Sequence, residues 1–494
     1  MTFSSMQSRC LYINAQWVEV PADAVEAVIN PATEEPIGMA PIGAVPEAEA
    51  AIAAARTAFD SGIWPRLKAR ERAAALQRFL DALMNRSANI RDLIVAEAGS
   101  TRTLADGMQF GIAMRHAQTT IDLCERSAVT PLPPVLTPNA VGGTILGSGV
   151  MVREPVGVVT AITPYNFPFF LNLGKIVPAL AVGCTVVLKP SPYTPFEALI
   201  LGEAADEAGL PPGVLNIITG GTDVGHMLTT DRRVDLVSFT GSDTVGAAIQ
   251  AQSAPTLKRV VLELGGKSAL IIRADANLAG AAAAGMAGFT THCGQGCALT
   301  TRHLVHNSVR PQYVALLKEM VGQLKIGDPS DPSVTMGPLI REAARKRTED
   351  YVDIALEGGA SLIAGGRRPE GFAKGYFYEP TFFDNVDNRS RIAQEEVFGP
   401  IGVVIGFDSD DEAIALANDS DFGLSGGIFS GDPGCAYEMA LQLRTGVVNV
   451  NGGPGTMSSH SPFGGIKRSG YGREYGIEGL NEFTYIKTVG FRAA

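Results

Sequence analysis

The chain lacks any block of basic residues and any interleaving of basic with aromatic side chains. Its formal net charge is −11. A broad nucleic-acid surface needs a basic face, so that class of function is excluded. Paired cysteines are missing too. The six cysteines, at positions 10, 124, 184, 293, 297 and 435, are scattered and show neither zinc-finger nor disulfide-framework spacing. Cys293 and Cys297 lie near His292, His303 and His306 without a ligand pattern, so no metal site is expected. Long apolar runs are absent as well. The stretch Ile176–Leu188 is interrupted by Pro178, Gly183 and Thr185 and is too short to span a bilayer. The first residues have no apolar core of signal-peptide length. Reduced thiols without a secretory signal predict a cytoplasmic protein with no membrane partner.

What is present fits a large enzyme. At 494 residues the chain calls for two or three domains, and 46% apolar with 18% charged residues supplies a sizeable core. A short hairpin is expected around Asn14, followed by helices near 46–59, 66–86, 87–98 and one long helix over 101–127. Thr130-Pro-Leu-Pro-Pro-Val-Leu-Thr-Pro138 reads as a proline-rich connector, and 142–154 as an exposed hairpin. From Val156 short apolar runs alternate with helices: strands at 157–162, 185–189, 214–218 and 236–240, helices at 175–181, 195–208, 223–229 and 244–251. This βαβ alternation predicts an open parallel sheet. A second alternating region starts near Ser268, and Phe483–Val489 closes the chain as a strand suited to pairing with a neighbouring subunit.

Five stretches carry chemistry. In Phe289-Thr-Thr-His-Cys-Gly-Gln-Gly-Cys297, glycines on both sides of Gln295 predict a tight, exposed turn that leaves a sulfur open to a reactant. Cys297 is a candidate nucleophile; the alternative is a small buried hydrophobe. Glu263, between two leucines, is a candidate base because apolar surroundings raise a carboxyl pKa, or else an exposed strand residue. Asn166, in Pro164-Tyr-Asn-Phe-Pro168, is a neutral donor suited to an oxyanion, or a turn asparagine. Lys189 ends a strand, where open α/β sheets bind ligands. Ser242, in Phe239-Thr-Gly-Ser-Asp-Thr-Val-Gly246, opens a helix and either receives phosphate or caps it. No G-x-G-x-x-G fingerprint occurs at a strand–helix turn of this region.

Together these stretches resemble the NAD(P)-dependent aldehyde dehydrogenase superfamily from about residue 12 to 490. Pro164-Tyr-Asn-Phe-Pro168, Leu262-Glu-Leu-Gly-Gly-Lys-Ser268, Gly294-Gln-Gly-Cys297, Glu395-Glu-Val-Phe-Gly-Pro400 and Pro462-Phe-Gly-Gly-Ile-Lys-Arg-Ser-Gly470 occur in the family's order. The resemblance implies an α/β fold: a Rossmann-type parallel-sheet cofactor domain (1–129 and 150–262), an α/β catalytic domain (263–479) and a small β oligomerisation element (130–149 and 480–494). A homodimer or homotetramer follows from it.

It also implies roles. Cys297 attacks the aldehyde, Asn166 and the Cys297 backbone N–H hold the oxyanion, and Glu263 activates water, with Lys175 and Glu474 relaying protons behind it. NAD, with NADP left open, would be bound by Ile162, Thr163, Pro164, Tyr165, Lys189, Ser191, Pro192, Gly221, Gly225, Phe239, Gly241, Ser242, Val245, Leu264, Glu396 and Phe398. Pro192 departs from the ribose-gripping glutamate of many NAD-preferring members, and removes a carboxylate that would repel a 2′-phosphate. Gly174 replaces a bulky residue of acetaldehyde-type members. With Phe169, Phe170, Leu171, Met457 and Phe463 it predicts a wide, apolar channel for aromatic, terpenoid or medium-to-long-chain aldehydes. A semialdehyde dehydrogenase, a coenzyme-A-acylating enzyme and a catalytically silent member of the fold are the alternatives.

Overall fold

The computed structural model describes residues 9–124 and 129–492. The strands expected between 157 and 263 form the centre of an eight-stranded sheet. Leu215–Ile217, Thr185–Lys189, Val158–Ile162, Leu236–Thr240 and Arg259–Glu263 lie side by side in parallel. Their near-continuous apolar character is what a parallel sheet covered on both faces requires, and most of their residues are buried. Val158–Ile162 sits between Thr185–Lys189 and Leu236–Thr240, so successive crossovers leave it in opposite directions. Such a switch point opens a crevice at the carboxyl ends of the strands.

The helix Pro168–Val182 leaves that crevice. A proline at its first position fits the missing N–H, and Gly183, at φ 107°, closes it in the left-handed region. All but the last of its residues are buried. It therefore holds Lys175 inside the molecule.

Seven strands make a second sheet, with Ala269–Ile272, Arg302–His306, Ile401–Phe407 and Ser425–Phe429 at its centre. A third sheet joins Val129–Pro138, Thr144–Pro155 and Thr484–Arg492. The proline-rich stretch expected as a connector is thus a strand. It lies on a sheet edge, where prolines leave no ladder donor missing, and its register slips between Leu132 and Val135. Leu136, Ile486 and Phe491 of this sheet, and Val141 in the turn between its first two strands, are exposed.

The long helix expected over 101–127 is also corrected. Arg102–Leu104 passes into a π-helix over Ala105–Ile112, and a regular helix resumes at Ala113–Cys124. Gly107 and Gly111 weaken the α-helical preference there. Residues 125–127 lie outside the described part. Among the described residues no helix is long and apolar enough to cross a membrane.

Candidate active site

The nucleophile loop follows the helix Leu278–Thr290. It turns through three consecutive left-handed residues, His292 (φ 50°), Cys293 (φ 55°) and Gly294 (φ 75°). Two of these are not glycine, which marks a backbone held by its surroundings. The expected turn is present, but Gln295 is buried rather than exposed. Its amide nitrogen donates to His292 O (3.1 Å) and Pro338 O (3.4 Å), and its Oε1 accepts from Ile340 N (2.9 Å). These bonds pin the loop. Cys297 follows, half-buried at the end of a cleft of about 870 Å³. Cys293 is wholly buried in the second sheet's core.

Asn166 also lines the cleft, and its Nδ2 donates to Gln295 O at 2.8 Å. Its donor thus lies beside the nucleophile loop. Glu263 ends its strand 2% exposed, so the exposed alternative is overturned. Neither carboxyl oxygen has a hydrogen-bond partner. Burial first, and the Glu474 carboxylate second, hold its pKa well above the usual carboxylate range. Lys175 Nζ donates to Glu474 at 2.5 Å and to Ser238 Oγ at 3.0 Å. Both charges are buried, at 0% and 3% exposure, and neither is a surface residue.

The Cys297 thiol is pushed up to about 12 by burial and by Glu396, Glu263 and Glu474. In the free protein it is protonated at neutral pH. Alkylation of Cys297 by iodoacetamide is therefore expected to be slow at pH 7 and to accelerate about tenfold per pH unit through pH 9, because only the thiolate reacts. A rate that levels off below pH 8 would refute this charge environment.

The cleft brings several expected cofactor residues together: Pro164, Tyr165, Gly241, Ser242, Glu396 and Phe398 line it with Asn166 and Cys297. Ser242 caps the helix Asp243–Ser253 by accepting from Val245 N (3.3 Å), leaving its first turn facing the cleft. Val245 is exposed on that turn. Phe239 and Leu264 pack behind it, since a Cβ on Gly241 or Gly246 would strike their side chains. Glu396 Oε1 accepts from Gly266 N at 3.0 Å, and burial raises its carboxyl to about 7. A Cβ on Gly265 would lie 2.1 Å from that carboxylate, so a side chain there would push Glu396 aside.

The remaining cofactor candidates lie outside the cleft's lining. Lys189 is 8% exposed, not an open strand-end lysine, and burial lowers its pKa to about 8 against the opposing pull of Asp223. Ser191 is buried, while Pro192 and Gly221 are exposed and Gly225 has open space above it. Ile162 ends its strand beside Thr163, whose hydroxyl donates to Asn172 Oδ1 at 2.6 Å.

The expected aldehyde wall is less open than its sequence suggests. Phe169 has no exposed surface and stacks on Phe110 at 5.3 Å, so it belongs to the core and lines nothing. Phe170, Leu171 and Phe463 are 6–8% exposed and Met457 is 44% exposed. The space that Gly174 frees is already taken: a Cβ there would meet the Tyr475 hydroxyl at 2.8 Å.

Some site residues had no signal in the sequence. Gln109, on the π-helix, donates to Ser100 Oγ (2.8 Å) and to Asn166 O (3.1 Å), so it braces the asparagine's backbone. Arg347, Tyr351, Arg391 and Gln394 line the cleft from the second sheet's side.

Comparison with known proteins places this geometry. The model of the aldehyde dehydrogenase family matches residues 17–489. A 3-succinoylsemialdehyde-pyridine dehydrogenase from a Pseudomonas species is 40% identical, over 97% of this chain and 98% of that protein. Betaine aldehyde dehydrogenase from Staphylococcus aureus, solved as a point mutant with NAD+, superposes with a TM-score of 0.93 at 36% identity, covering 98% of this chain and 97% of that one. Aldehyde dehydrogenase C from Pseudomonas syringae, solved as a mutant with NAD+ and octanal, gives 0.91 at 35% identity, covering 98% and 97%. With its fold and its sequence matched over nearly the whole length, the chain belongs to the aldehyde dehydrogenase family.

Proposed function

We propose that this NAD(P)-dependent aldehyde dehydrogenase oxidises a hydrophobic aldehyde to its carboxylic acid through a thioester on Cys297. The observation that carries the reading is the meeting of Cys297 and Asn166 at the end of one cleft, with Glu263 close enough to act on the thiol electrostatically. Attack on the aldehyde carbon requires Cys297 Sγ to lose its proton, which passes to water in the cleft. The developing oxyanion is held by the Cys297 backbone N–H and by the Asn166 amide, which gives up Gln295 O to reach it. Bound NAD(P)+ supplies the hydride acceptor that converts the adduct into a thioester. Glu263 then takes a proton from water as the water attacks that thioester. The Lys175–Glu474 pair, reaching Ser238 behind it, carries the proton onward.

The cleft suits a dinucleotide in size, and the helix start at Ser242 suits its pyrophosphate. Lys189 and Ser191 would hold the adenosine ribose, with Pro192, Gly221, Gly225 and Val245 around the adenine. Glu396 and Phe398 would hold the nicotinamide ribose, with Ile162, Thr163, Pro164, Tyr165 and Leu264 completing the walls. NAD is the first choice, and Pro192 offers no repulsion to NADP. The three sheets support a division into a cofactor domain, a catalytic domain and an oligomerisation element, although the strand Gly470–Tyr471 joins the cofactor sheet from the catalytic segment and Thr144–Pro155 runs across the boundary at 149/150. The exposed apolar side chains of the third support a homodimer or homotetramer.

The substrate class is tested with purified enzyme on octanal, citral, benzaldehyde, acetaldehyde and succinic semialdehyde, with either coenzyme. The highest kcat/KM is expected on the apolar members. The sequence relative named for a semialdehyde favours a second reading, in which the charged semialdehyde is turned over fastest. That outcome would replace the first.

A further inference from the structure

Tyr475 stands behind the expected aldehyde wall, outside the cleft's lining. It follows Glu474 directly and holds φ 62° and ψ 165°, a backbone conformation rare for a non-glycine residue. Its ring packs between His116 (4.6 Å between centroids) and Phe170 (5.1 Å). Its hydroxyl reaches the helix Pro168–Val182 at Gly174, one turn from Phe170, on the face expected to wall the aldehyde channel. Tyr475 and Phe463 share one apolar cluster, and Cys297 packs against it. The side chain is 6% exposed, yet its hydroxyl makes no hydrogen bond. Buried hydroxyls rarely go unpaired, and one left so beside a reactive thiol is a donor awaiting an acceptor. Burial and the nearby Glu474, Cys297 and Glu263 keep the phenol protonated, so it donates and does not ionise.

We infer that Tyr475 is a specificity-determining residue, its hydroxyl donating a hydrogen bond to an acceptor atom, such as a ketone oxygen, in the chain of a neutral aldehyde. The inference rests on the proposed aldehyde oxidation and narrows its substrate class. A plain hydrocarbon chain leaves the phenol unpaired; a chain with an oxygen at the right distance satisfies it. Gly174 is part of the device, because any side chain there would displace the hydroxyl.

The experiment compares kcat/KM for octanal with those for 4-oxo-, 5-oxo- and 6-oxooctanal, in the wild type, Tyr475→Phe and Gly174→Ala. The wild type is expected to prefer one oxo isomer over octanal by about tenfold or more. Tyr475→Phe should lower that isomer's kcat/KM while raising octanal's, collapsing the ratio to near unity. A merely structural tyrosine would move all four aldehydes together. Gly174→Ala should shrink the preference in the same sense with the phenol still present. Equal rates on all four aldehydes in the wild type, or a preference that survives in Tyr475→Phe, would overturn the inference while leaving aldehyde oxidation in place. No turnover of any of the four would overturn it together with the reading beneath it.

Discussion

Cys297→Ser is expected to reduce NAD(P)H formation by at least about 10⁴-fold while leaving coenzyme binding unchanged. The reason lies in the surroundings of the sulfur. Burial and three carboxylates already lift the thiol to about 12. A serine hydroxyl, far less acidic, would have to ionise in the same field. Serine keeps the volume and leaves the loop pinned by Gln295, so the cleft and its helix start at Ser242 stay as they are. The measurement pairs steady-state rates with equilibrium titration of the coenzyme. Loss of coenzyme binding along with activity would mean that Cys297 shapes the cleft instead of acting in it.

Glu263→Gln should cost about 10²–10⁴-fold in steady-state turnover, the range of a lost general base. Its signature differs from that of Cys297→Ser. If Glu263 chiefly activates water, the variant still forms the thioester once, so rapid mixing should show a burst approaching one reduced coenzyme per site before the stall. The wild-type rate should rise with pH, because a carboxyl held protonated by burial and by Glu474 must ionise before it can act. The glutamine variant should lose that rise. It should also alkylate at Cys297 somewhat faster at a given pH, since one of the charges raising the thiol is gone. An absent burst would assign Glu263 to the first proton transfer as well as the second.

Much of this site could be read from the chain because its parts are local. Strand ends followed by glycine and a capping serine, a glutamate before paired glycines, and a cysteine after Gly-Gln-Gly each occupy a few consecutive residues. Lys189 and the Ser242 stretch follow strands of the expected parallel sheet, and the family resemblance joins the glutamate and the cysteine to them. What could not be read depends on distant partners. Lys175 and Glu474 are 299 residues apart, and nothing near either foretells that both are buried. Gln109 reaches Asn166 only because a π-helix turns it inward, and two glycines inside a helical pattern are a weak sign of that. Gly174 was legible as an empty place, but not the phenol that fills it from another part of the chain. The prolines between 130 and 138 argued against a strand because edge position, which excuses them, is a property of the finished sheet.

The pairing of Lys175 with Glu474 sets an order on biosynthesis. The helix bearing the lysine leaves the ribosome long before the glutamate is made. At typical elongation rates the interval for 299 residues is on the order of tens of seconds. Through that time the nascent chain has an ammonium with no counter-charge, so the helix Pro168–Val182 cannot be sealed inside at low cost. The strand Gly470–Tyr471, which pairs with Arg259–Glu263 in the first sheet, and the strand Thr484–Arg492 arrive with the same late segment. A chain released early, by a premature stop or by cleavage before Glu474, therefore carries an unclosed sheet and an unpaired cation, and is open to quality-control proteases. Only a chain extended through Glu474 can lock its own active site.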